Sequence, residues 1–224
     1  MNPIILGDDM DNEQDVEALR REYSRRTLGD DEIDQNPIKQ FALWFRQALA
    51  ADLPDANAMT LATATTDAIP SGRIVLLKGF DEEGFRFYTN YKSRKAQELE
   101  ENPQASLCFF WPELERQVRI EGSVQKISRE DSANYFSKRP RRSQLGAWAS
   151  SQSRDVKSRQ ALEKSLKEVK SRFEGKKIPL PDFWGGYQLQ PQRIEFWQGR
   201  PGRLHDRIVY RRENKDWKIN RLEP

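Results

Sequence analysis

Near the middle of the chain, residues 105–111 read Ala-Ser-Leu-Cys-Phe-Phe-Trp and residues 116–127 read Arg-Gln-Val-Arg-Ile-Glu-Gly-Ser-Val-Gln-Lys-Ile. In the second run, the polar positions 117, 119 and 121 alternate with Val118 and Ile120. Alternation with a period of two is typical of a β-strand that buries one face. The two runs therefore predict two strands. Gln117 offers a donor and an acceptor to the edge of a heterocycle, although a solvated strand face is the more common reason for such a pattern.

Shorter strands are predicted on both sides of this pair, at residues 59–65, 73–80, 85–89, 187–189, 194–198, 205–211 and 217–219. Helices are predicted at residues 12–26, from Pro37 to just before Pro54, at 93–101, from Ser128 to just before Pro140, and at 156–173. The strands come in clusters and do not alternate with helices, which favours an antiparallel barrel over a doubly wound parallel sheet. The predicted fold class is mainly β with flanking helices (α+β).

Composition narrows the class of protein. The 224 residues are 36% hydrophobic and 33% charged, with a mean hydropathy of −0.90, values that border on those of partly disordered chains. The 6 Trp, 6 Tyr and 11 Phe argue for a packed core, since disordered chains are poor in aromatic residues. We predict one domain over residues 20–224, preceded by a variable, disordered leader over residues 1–19.

Several function classes are disfavoured at once. No apolar run approaches the ~20 residues that span a bilayer, and the first residues lack the pattern of a signal peptide. One Cys and one His form neither an internal disulfide nor a zinc site built from Cys and His, so no metal site is predicted. The common glycine-rich nucleotide motifs are missing. We expect a protein of the reducing cytoplasm that does not contact membranes.

The charge of the chain is unevenly placed. The formal net charge is +3, but residues 1–36 contain 11 Asp or Glu and 4 Lys or Arg, so the remaining chain carries +10. A basic body of this kind occurs in nucleic-acid-binding modules. Here the cations lie at separate points bracketed by apolar residues rather than in one stripe. They therefore favour separate small anions over nucleic acid.

Two pairs of cations are candidates for anion binding. Arg94 and Lys95 follow Ser93 at the start of a predicted short helix, where cations are unfavourable unless an anion docks there. Two solvated side chains are the alternative. Arg73 and Lys78 bracket four apolar residues, and in a regular strand they point to opposite faces, where they would serve two different anions. Charges that merely mark the ends of a strand are the alternative there.

Tyr135, Arg139 and Ser143 form a third candidate around Pro140. Tyr135 and Arg139 are four residues apart and share a helix face. Hydroxyl and guanidinium groups are suitable donors to a phosphate. A basic helix end that complements the helix dipole is the alternative.

The fourth candidate contains the sole histidine. Arg203, His205 and Arg207 alternate along a predicted strand, and Trp197 lies on the polar face of its own strand. An aromatic ring beside arginines and a histidine indicates a site for a flat anionic ligand. A surface patch is the alternative.

Taken together, these motifs resemble the pyridoxamine 5′-phosphate oxidase family from about Arg20 to Pro224. The resemblance is carried by Arg20-Arg-Glu-Tyr23, Arg73-Ile-Val-Leu-Leu-Lys78, Phe87-Tyr-Thr-Asn90, Ser93-Arg-Lys-Ala96, Glu115-Arg-Gln-Val118, Ser143-Gln-Leu-Gly-Ala-Trp148, Ser151-Gln-Ser153, Phe183-Trp-Gly-Gly186, Ile194-Glu-Phe-Trp197 and Arg203-Leu-His-Asp-Arg207. Each motif alone is weak, whereas the whole series in order is specific.

The resemblance implies an FMN-binding split β-barrel of antiparallel Greek-key type, and a homodimer with FMN in two symmetric clefts at the subunit interface. The cofactor residues that it implies from one subunit are Arg73, Ile74, Val75, Leu76, Leu77, Lys78, Tyr88, Thr89, Arg94, Lys95 and Gln117. Those that it implies from the other subunit are Gln152, Ser153, Trp197 and Arg207. Arg94 and Lys95 are expected to hold the FMN phosphate.

The resemblance also implies a substrate site. Lys78, Tyr135, Arg139 and Ser143 are expected to bind the substrate phosphate. Arg203 and His205 are the expected catalytic residues, in contact with the pyridine ring and the reacting carbon, with Leu204 between them. Residues 20–36 would form a lid that brings Arg20, Arg21, Glu22 and Tyr23 to the substrate.

The implied reaction is oxidation of pyridoxamine or pyridoxine 5′-phosphate by O₂ to pyridoxal 5′-phosphate, with release of H₂O₂ and, from the amine, NH₃, as in vitamin B6 salvage. The flavin carries the difficult step and the protein supplies orientation. The alternatives are another flavin- or deazaflavin-dependent reductase on the same barrel, and a non-catalytic protein that binds pyridoxal 5′-phosphate or nucleic acid.

Overall fold

An antiparallel β-sheet is the framework of the computed structural model, which describes residues 21–224. Its strands are β1 (Ala58–Ala64), β2 (Pro70–Leu76), β3 (Gly79–Asp81), β4 (Gly84–Asn90), β5 (Gln104–Trp111), β6 (Arg116–Lys126), β7 (Trp184–Gln198), β8 (Asp206–Glu213) and β9 (Asp216–Arg221). The helices in this range are α1 (Pro37–Ala50), α2 (Arg94–Glu101), α3 (Arg129–Lys138), α4 (Arg141–Ala149) and α5 (Arg159–Arg172). The prediction of a mainly β fold with flanking helices is confirmed.

The sheet branches at β7, a strand of 15 residues. The strand order is β2-β1-β5-β6-β7-β4-β3, while β8 pairs with β7 and β9 pairs with β8. The first part of β7 pairs with β4 and its last part pairs with β8. The register to β6 shifts between Glu121 and Gly122, where a Cβ on Gly122 would lie 1.9 Å from the carbonyl oxygen of Gln190. Glycine is therefore required at this bulge, which bends the sheet.

Helix α1 closes the curled sheet. Its N-cap Asn36 accepts hydrogen bonds from the backbone of Ile38 and Lys39, and Pro37 occupies the first turn as predicted. Phe41 is fully buried and meets Phe85 edge to face at 4.9 Å. Aromatic contacts of this kind anchor the helix in the main core.

A second, smaller core fastens α3, α4 and α5 to the beginning of β7. Its buried residues are Phe136, Leu145, Phe173, Ile178 and Trp184. The predicted capping of α3 is confirmed, since Ser128 Oγ accepts from the backbone N–H of Asp131 at 2.9 Å. This core holds the three helices together beside β4, where α3 forms one wall of a cleft.

The predicted strand 73–80 is wrong in one respect, because it is two strands. The backbone N–H of Leu77 donates to Asn57 O at 2.9 Å, whereas that of Lys78 donates to Arg86 O at 2.9 Å. The chain thus changes pairing partner between these residues and leaves β1 for β4. The alternation that put Arg73 and Lys78 on opposite faces ends at this point.

Other boundaries also differ from prediction. Residues 21–26 of the predicted helix 12–26 are irregular, and residues 12–20 lie outside the described residues. Strands 187–189 and 194–198 are parts of β7, which runs through Pro191 opposite the bulge. Helix α4 was not predicted, because Pro140 was interpreted as a stop and instead precedes its first turn. Helix α5 begins at Arg159 and has no buried residue, which confirms a solvated surface helix.

Among residues 21–224, none of the helices combines the length and the apolar character of a segment that spans a bilayer.

Candidate active site

A cleft of about 590 Å³ lies between β2, β4, the start of α2 and helix α3. Its lining includes five cationic side chains and no carboxylate among the residues that the structure describes. The lining residues are Ser71, Gly72, Arg73, Ile74, Val75, Leu76, Lys78, Tyr88, Thr89, Arg94, Lys95, Tyr135, Arg139, Gln152, Ser153 and Trp184. The cleft is therefore built for an anionic ligand.

Lys95 is the buried cation at one end of the cleft. It is 7% exposed, and its Nζ lies 3.3 Å from Thr89 Oγ1 and 3.4 Å from Ser93 Oγ. Burial and the neighbouring Arg73 lower the pKa of Lys95, while Glu98 opposes them. No ion pair joins Lys95 to a carboxylate within residues 21–224. A buried ammonium with only hydroxyl partners is costly unless an anion completes its shell.

Glu98 lies behind this end of the cleft and is 4% exposed. Its carboxylate accepts hydrogen bonds from Thr63, Ser71, Arg73 and Arg94. Burial alone would raise the pKa of Glu98, but these four hydrogen bonds outweigh burial and bring the pKa to about 2. The carboxylate is therefore ionised at any pH at which the protein works.

Stacked aromatic rings form the opposite wall. Tyr88 of β4 and Tyr135 of α3 stack at 3.9 Å, and Trp184 lies parallel to Tyr88 at 5.5 Å. The guanidinium of Arg139 lies 4.6 Å over the Trp184 ring. Its Nη1 is buried without a hydrogen-bond partner among the described residues, and burial lowers the pKa of Arg139. An unpaired buried donor of this kind indicates a missing acceptor.

A smaller cavity of about 330 Å³ adjoins the cleft and shares Arg139, Gln152 and Trp184 with it. Ser143 of α4 lines this cavity. Gln152 Oε1 accepts from Thr89 Oγ1 and from the backbone N–H of Asn90, each at 3.3 Å. These hydrogen bonds hold the loop after α4 against β4 of the same chain.

A second cluster lies at the other end of β7. Trp197 and His205 are 4.7 Å apart between ring centroids, and Tyr23 meets both rings edge-on at 5.6 and 5.7 Å. Gly199 leaves room for the tyrosine, since a Cβ there would lie 2.7 Å from Tyr23 Cγ. Glu22 accepts a hydrogen bond from the backbone of Gly202 at 3.1 Å. The segment before α1 is thus docked on this cluster.

His205 is held in a defined state within this cluster. Its Nδ1 accepts from the backbone N–H of Arg200 at 3.1 Å. Partial burial and the charge of Arg203 lower the pKa of His205. The imidazole is therefore neutral at pH 7, with its proton on Nε2.

The buried carboxylate of Glu115 anchors the docked segment. Glu115 is 2% exposed, and its Oε2 accepts from the backbone N–H groups of Ser24 and Arg25, each at 3.0 Å. Arg21 Nη2 lies 3.7 Å from its Oε1. Backbone donors to a carboxylate are strong hydrogen bonds, so they fix the position of Tyr23 close by.

The outer face of the sheet is partly apolar and exposed. Ile74 of β2 is 66% exposed and Phe110 of β5 is 54% exposed, and Leu204, in the turn before β8, is 73% exposed. Phe110, Gln117, Trp197 and Arg207 are direct neighbours in a row across β5, β6, β7 and β8. Gln117 therefore belongs with Trp197 and Arg207, not with the cleft.

Two family models, one for residues 45–173 and one for residues 184–224, match this chain, and both describe the same kind of oxidase. The family model described as pyridoxamine 5′-phosphate oxidase matches residues 45–173, and the one described as the pyridoxine 5′-phosphate oxidase C-terminal dimerisation region matches residues 184–224. The pyridoxine/pyridoxamine 5′-phosphate oxidase of Rubrobacter xylanophilus is 57% identical over 94% of this chain and 97% of that protein. The chain belongs to the pyridoxine/pyridoxamine 5′-phosphate oxidase family.

Other relatives agree with this assignment. The pyridoxine/pyridoxamine 5′-phosphate oxidase of Trichormus variabilis is 55% identical over 93% of this chain and 98% of its own length. One solved structure is that of PhzG from Burkholderia lata in complex with tetrahydrophenazine-1-carboxylic acid. It is 32% identical to this chain in sequence and has a TM-score of 0.84, and the match covers 90% of this chain and 100% of that one. A pyridoxamine 5′-phosphate oxidase-related, FMN-binding protein of Nostoc punctiforme shares the fold, with 21% identity and a TM-score of 0.67 over 84% of this chain and 98% of that one. The expected split-barrel fold is confirmed.

Most of the site residues expected from the oxidase family lie together in the cleft. These are Arg73, Ile74, Val75, Leu76, Lys78, Tyr88, Thr89, Arg94, Lys95, Tyr135, Arg139, Gln152 and Ser153, with Ser143 in the adjoining cavity. Leu77 is 4% exposed, belongs to the main core and does not line the cleft. Arg73 and Lys78 line the same cleft, so the prediction that they point to opposite faces is wrong, while the two anions that they would serve stay a prediction.

The remaining expected residues lie outside the cleft. Tyr23, Trp197 and His205 form the second cluster, Glu22 docks beside it, and Arg207 pairs with Glu195 at 2.9 Å. Arg203 and Leu204 are exposed in a turn before β8, so the predicted alternation of Arg203 with His205 along a strand is wrong. Arg21 lies at Glu115, and Arg20 lies outside the described residues.

The division of residues between subunits that the resemblance implies stays a prediction, and three positions bear on it within one chain. Gln152 and Ser153 line the cleft of their own chain, beside Thr89. Gln117 groups with Trp197 in the row on the outer face. Sequence reasoning assigned no role to Ser71, Gly72, Trp184 and Glu98. The i, i+4 spacing of Arg94 and Glu98 was the one available signal for Glu98.

Proposed function

We propose that this chain is an FMN-dependent oxidase that converts pyridoxine 5′-phosphate or pyridoxamine 5′-phosphate to pyridoxal 5′-phosphate with O₂ as the acceptor. Family membership supports the reaction class. The observation that carries the proposal is the cleft itself, in which five cations and stacked aromatic rings face one space and the described lining contains no carboxylate. Such a cleft suits a ligand with a phosphate and a flat ring system.

The residues present fit FMN. Its phosphate would be held by Arg73, Arg94 and Lys95 at the start of α2, where free backbone N–H groups and a buried ammonium without a carboxylate partner converge. A phosphate dianion supplies the acceptors that these donors lack. Tyr88 and residues 74–76 would flank the flavin, and Gln152 and Ser153 would close the cleft beside Thr89.

The substrate phosphate would lie at the other side of the cleft. Arg139 has an orphaned buried Nη1 there, and Lys78, Tyr135 and Ser143 line the same region or the adjoining cavity. Two phosphate subsites in connected cavities account for the distribution of cations along the cleft.

The active unit that we propose is a homodimer. In one chain, Gln117, Trp197, Arg203, His205 and Arg207 lie away from the cleft, at the far end of β7. The outer face beside them exposes apolar residues, and residues 184–224 match a dimerisation region. A two-fold interface through this face would bring the second cluster of one subunit to the cleft of its partner. The protein would act in the cytoplasm, in vitamin B6 salvage.

Catalysis would then depend on orientation. The chemistry that bound FMN supplies is acceptance of a hydride from the C4′ carbon, with the two electrons passed on to O₂, which leaves as H₂O₂. The alcohol loses its hydroxyl proton as the aldehyde forms, and the amine product takes up water and releases NH₃. Arg203 and neutral His205 of the partner subunit would contact the pyridine ring and hold C4′ in place. Tyr23, docked on His205, would exclude water from that side.

An oxygen-consumption assay tests the proposal. Purified protein supplied with FMN should consume O₂ with both pyridoxine 5′-phosphate and pyridoxamine 5′-phosphate, form equal amounts of H₂O₂ and aldehyde, and lose the activity when FMN is removed. The amine should in addition yield one NH₃ per aldehyde. Protein that takes up no FMN, or that consumes no O₂ with either substrate, would refute the proposal.

A further inference from the structure

We propose that Glu98 is the positioning residue that gives the cleft its preference for a phosphate-bearing flavin over one without phosphate. The inference rests on the proposed function, since it takes the anion at the start of α2 to be the FMN phosphate. Glu98 does not line the cleft. It acts through two arginines that do.

The carboxylate of Glu98 joins three elements. Its Oε2 accepts from Thr63 Oγ1 of β1 at 2.6 Å and from Ser71 Oγ of β2 at 2.7 Å. Its Oε1 accepts from Arg94 Nε of the same helix at 2.8 Å. Because Glu98 is 4% exposed, water does not compete for these hydrogen bonds.

Arg94 is aimed by this contact. Glu98 engages Nε, and the terminal nitrogens of Arg94 have no other partner among the described residues. The side chain is 63% exposed and lines the cleft. A guanidinium held by its inner nitrogen keeps its two outer nitrogens for a bidentate contact with a phosphate.

Arg73 is held in a different way. Its Nη2 donates to Glu98 Oε2 at 3.0 Å, and its Nη1 donates to Leu61 O at 3.2 Å. Thr63 and Ser71, which bond the carboxylate, also accept from this guanidinium. These contacts fix the Arg73 guanidinium in place. Its positive charge therefore stays at one position in the lining of the cleft.

The charge of Glu98 explains why a carboxylate is tolerated next to an anion site. Without it, Arg73, Arg94 and Lys95 would place three cations around one empty space. With it, two net positive charges remain, which match a phosphate of about −1.5 to −2 at pH 7. Glu98 thus reduces the repulsion between these cations in the free protein. The net positive charge that remains is similar in size to the negative charge of the phosphate.

The experiment compares Glu98→Gln with Glu100→Gln. Glu100 lies on the same helix, is 67% exposed and pairs with Lys126, so it controls for loss of one negative charge from α2. Dissociation constants for FMN and for riboflavin are measured by quenching of flavin fluorescence. For Glu98→Gln we expect FMN to bind about tenfold more weakly, a factor that corresponds to about 1.4 kcal/mol. Riboflavin binding should change by less than about twofold, and Glu100→Gln should change neither.

A double-mutant cycle separates positioning from general support of the fold. If Glu98 acts through Arg94 and Arg73, the effect of Glu98→Gln on FMN affinity should shrink in an Arg94→Ala background and largely disappear when Arg73→Ala is added, because the effects of residues in one network are not additive. Additive losses would assign Glu98 a structural role. Folding of each variant is checked by its unfolding temperature without flavin, and riboflavin binding serves as an internal control.

The possible outcomes lead to distinct conclusions. Equal weakening of FMN and riboflavin in Glu98→Gln, unchanged FMN affinity, or tighter FMN binding would each overturn the role of Glu98. Wild-type protein that binds FMN no better than riboflavin would overturn the proposed function instead, together with the phosphate for which Glu98 positions the arginines.

Discussion

The guanidinium of Arg139 lies 4.6 Å over the indole ring of Trp184, while its buried Nη1 has no partner among the described residues. The Trp184 ring thus positions the Arg139 guanidinium so that its Nη1 can donate a hydrogen bond to an anion in the cleft. Cation–π contacts shielded from water contribute about 2 kcal/mol. We expect Trp184→Leu to raise the KM for pyridoxine 5′-phosphate about tenfold and to leave FMN affinity within about twofold. Steady-state kinetics at saturating FMN measure this.

Trp184→Phe is the matched control, because it keeps an aromatic face under Arg139. Its KM should lie between those of the wild type and Trp184→Leu. A KM in Trp184→Leu equal to that of the wild type would show that Arg139 does not need the ring.

Lys95 should make FMN binding depend on pH. Burial and Arg73 lower the pKa of Lys95 below the ordinary value of 10.5. Its charge is therefore present at neutral pH and is lost as the pH rises through the lowered pKa. FMN affinity, measured between pH 7 and 10, should begin to fall at a lower pH than the pH at which an ordinary lysine loses its proton. Riboflavin affinity should stay flat over that range.

Two variants test whether Lys95 causes that fall. Lys95→Arg, which does not deprotonate, should abolish the pH dependence. Lys95→Ala should weaken FMN about tenfold or more, while the substrate KM at saturating FMN changes little. Equal loss of FMN and substrate binding would contradict the assignment of two separate phosphate sites.

Arg203 and His205 should matter for turnover and not for the cofactor. We expect Arg203→Ala or His205→Ala to lower kcat by about 100-fold, the order of loss when a reacting group is misplaced. FMN should remain bound, as judged from the flavin absorbance of the purified variants. The pKa of His205 lies below its ordinary value of 6.5, so the imidazole stays neutral to a lower pH than an ordinary histidine. The kcat of the wild type should therefore stay constant down to that lower pH. A variant that unfolds instead of losing kcat would make these residues structural.

The separation of the cleft from the second cluster predicts complementation between two variants, assayed at an FMN concentration that fills wild-type sites and leaves Lys95→Ala sites largely empty. Lys95→Ala damages the cleft, and His205→Ala damages the cluster at the other end of β7. When both are unfolded together and reassociated, each mixed dimer regains one intact site in addition to one doubly damaged site. Random pairing should restore about a quarter of wild-type activity. If each site were built within one chain, mixing would restore nothing.

Local pattern was enough to predict much of the sheet. The alternation at positions 117–121 correctly predicted which residues of β6 are buried, because that strand has the core on one side along its length. The break after Leu76 could not be predicted in the same way. It exists because the chain exchanges the backbone of Asn57, 20 residues before Leu77, for that of Arg86, 8 residues after Lys78, and the alternation of residues does not mark this exchange.

The residues of the candidate site likewise divide into those that a local sequence pattern predicts and those that only the folded chain brings together. Arg94 and Lys95 carry a local signal, since cations are out of place at a helix start. Gln152 and Ser153 do not, because the position of this loop depends on hydrogen bonds from Thr89 and Asn90 to Gln152, about 60 residues away. Glu98 is one of several glutamates in its helix, and only the folded chain shows that Thr63 and Ser71 meet it.

Strand β7 has a consequence for how this family can change. Trp184 stands at its first position in the cleft wall, and Trp197 stands near its last, beside His205. In the proposed dimer, the two ends serve different active sites. Adding two residues would preserve which face each side chain occupies, yet would move one tryptophan about 7 Å along the strand. In that proposed dimer the length of β7 would set the distance between two catalytic centres, and insertions there should be rarer than in strands that only build the barrel.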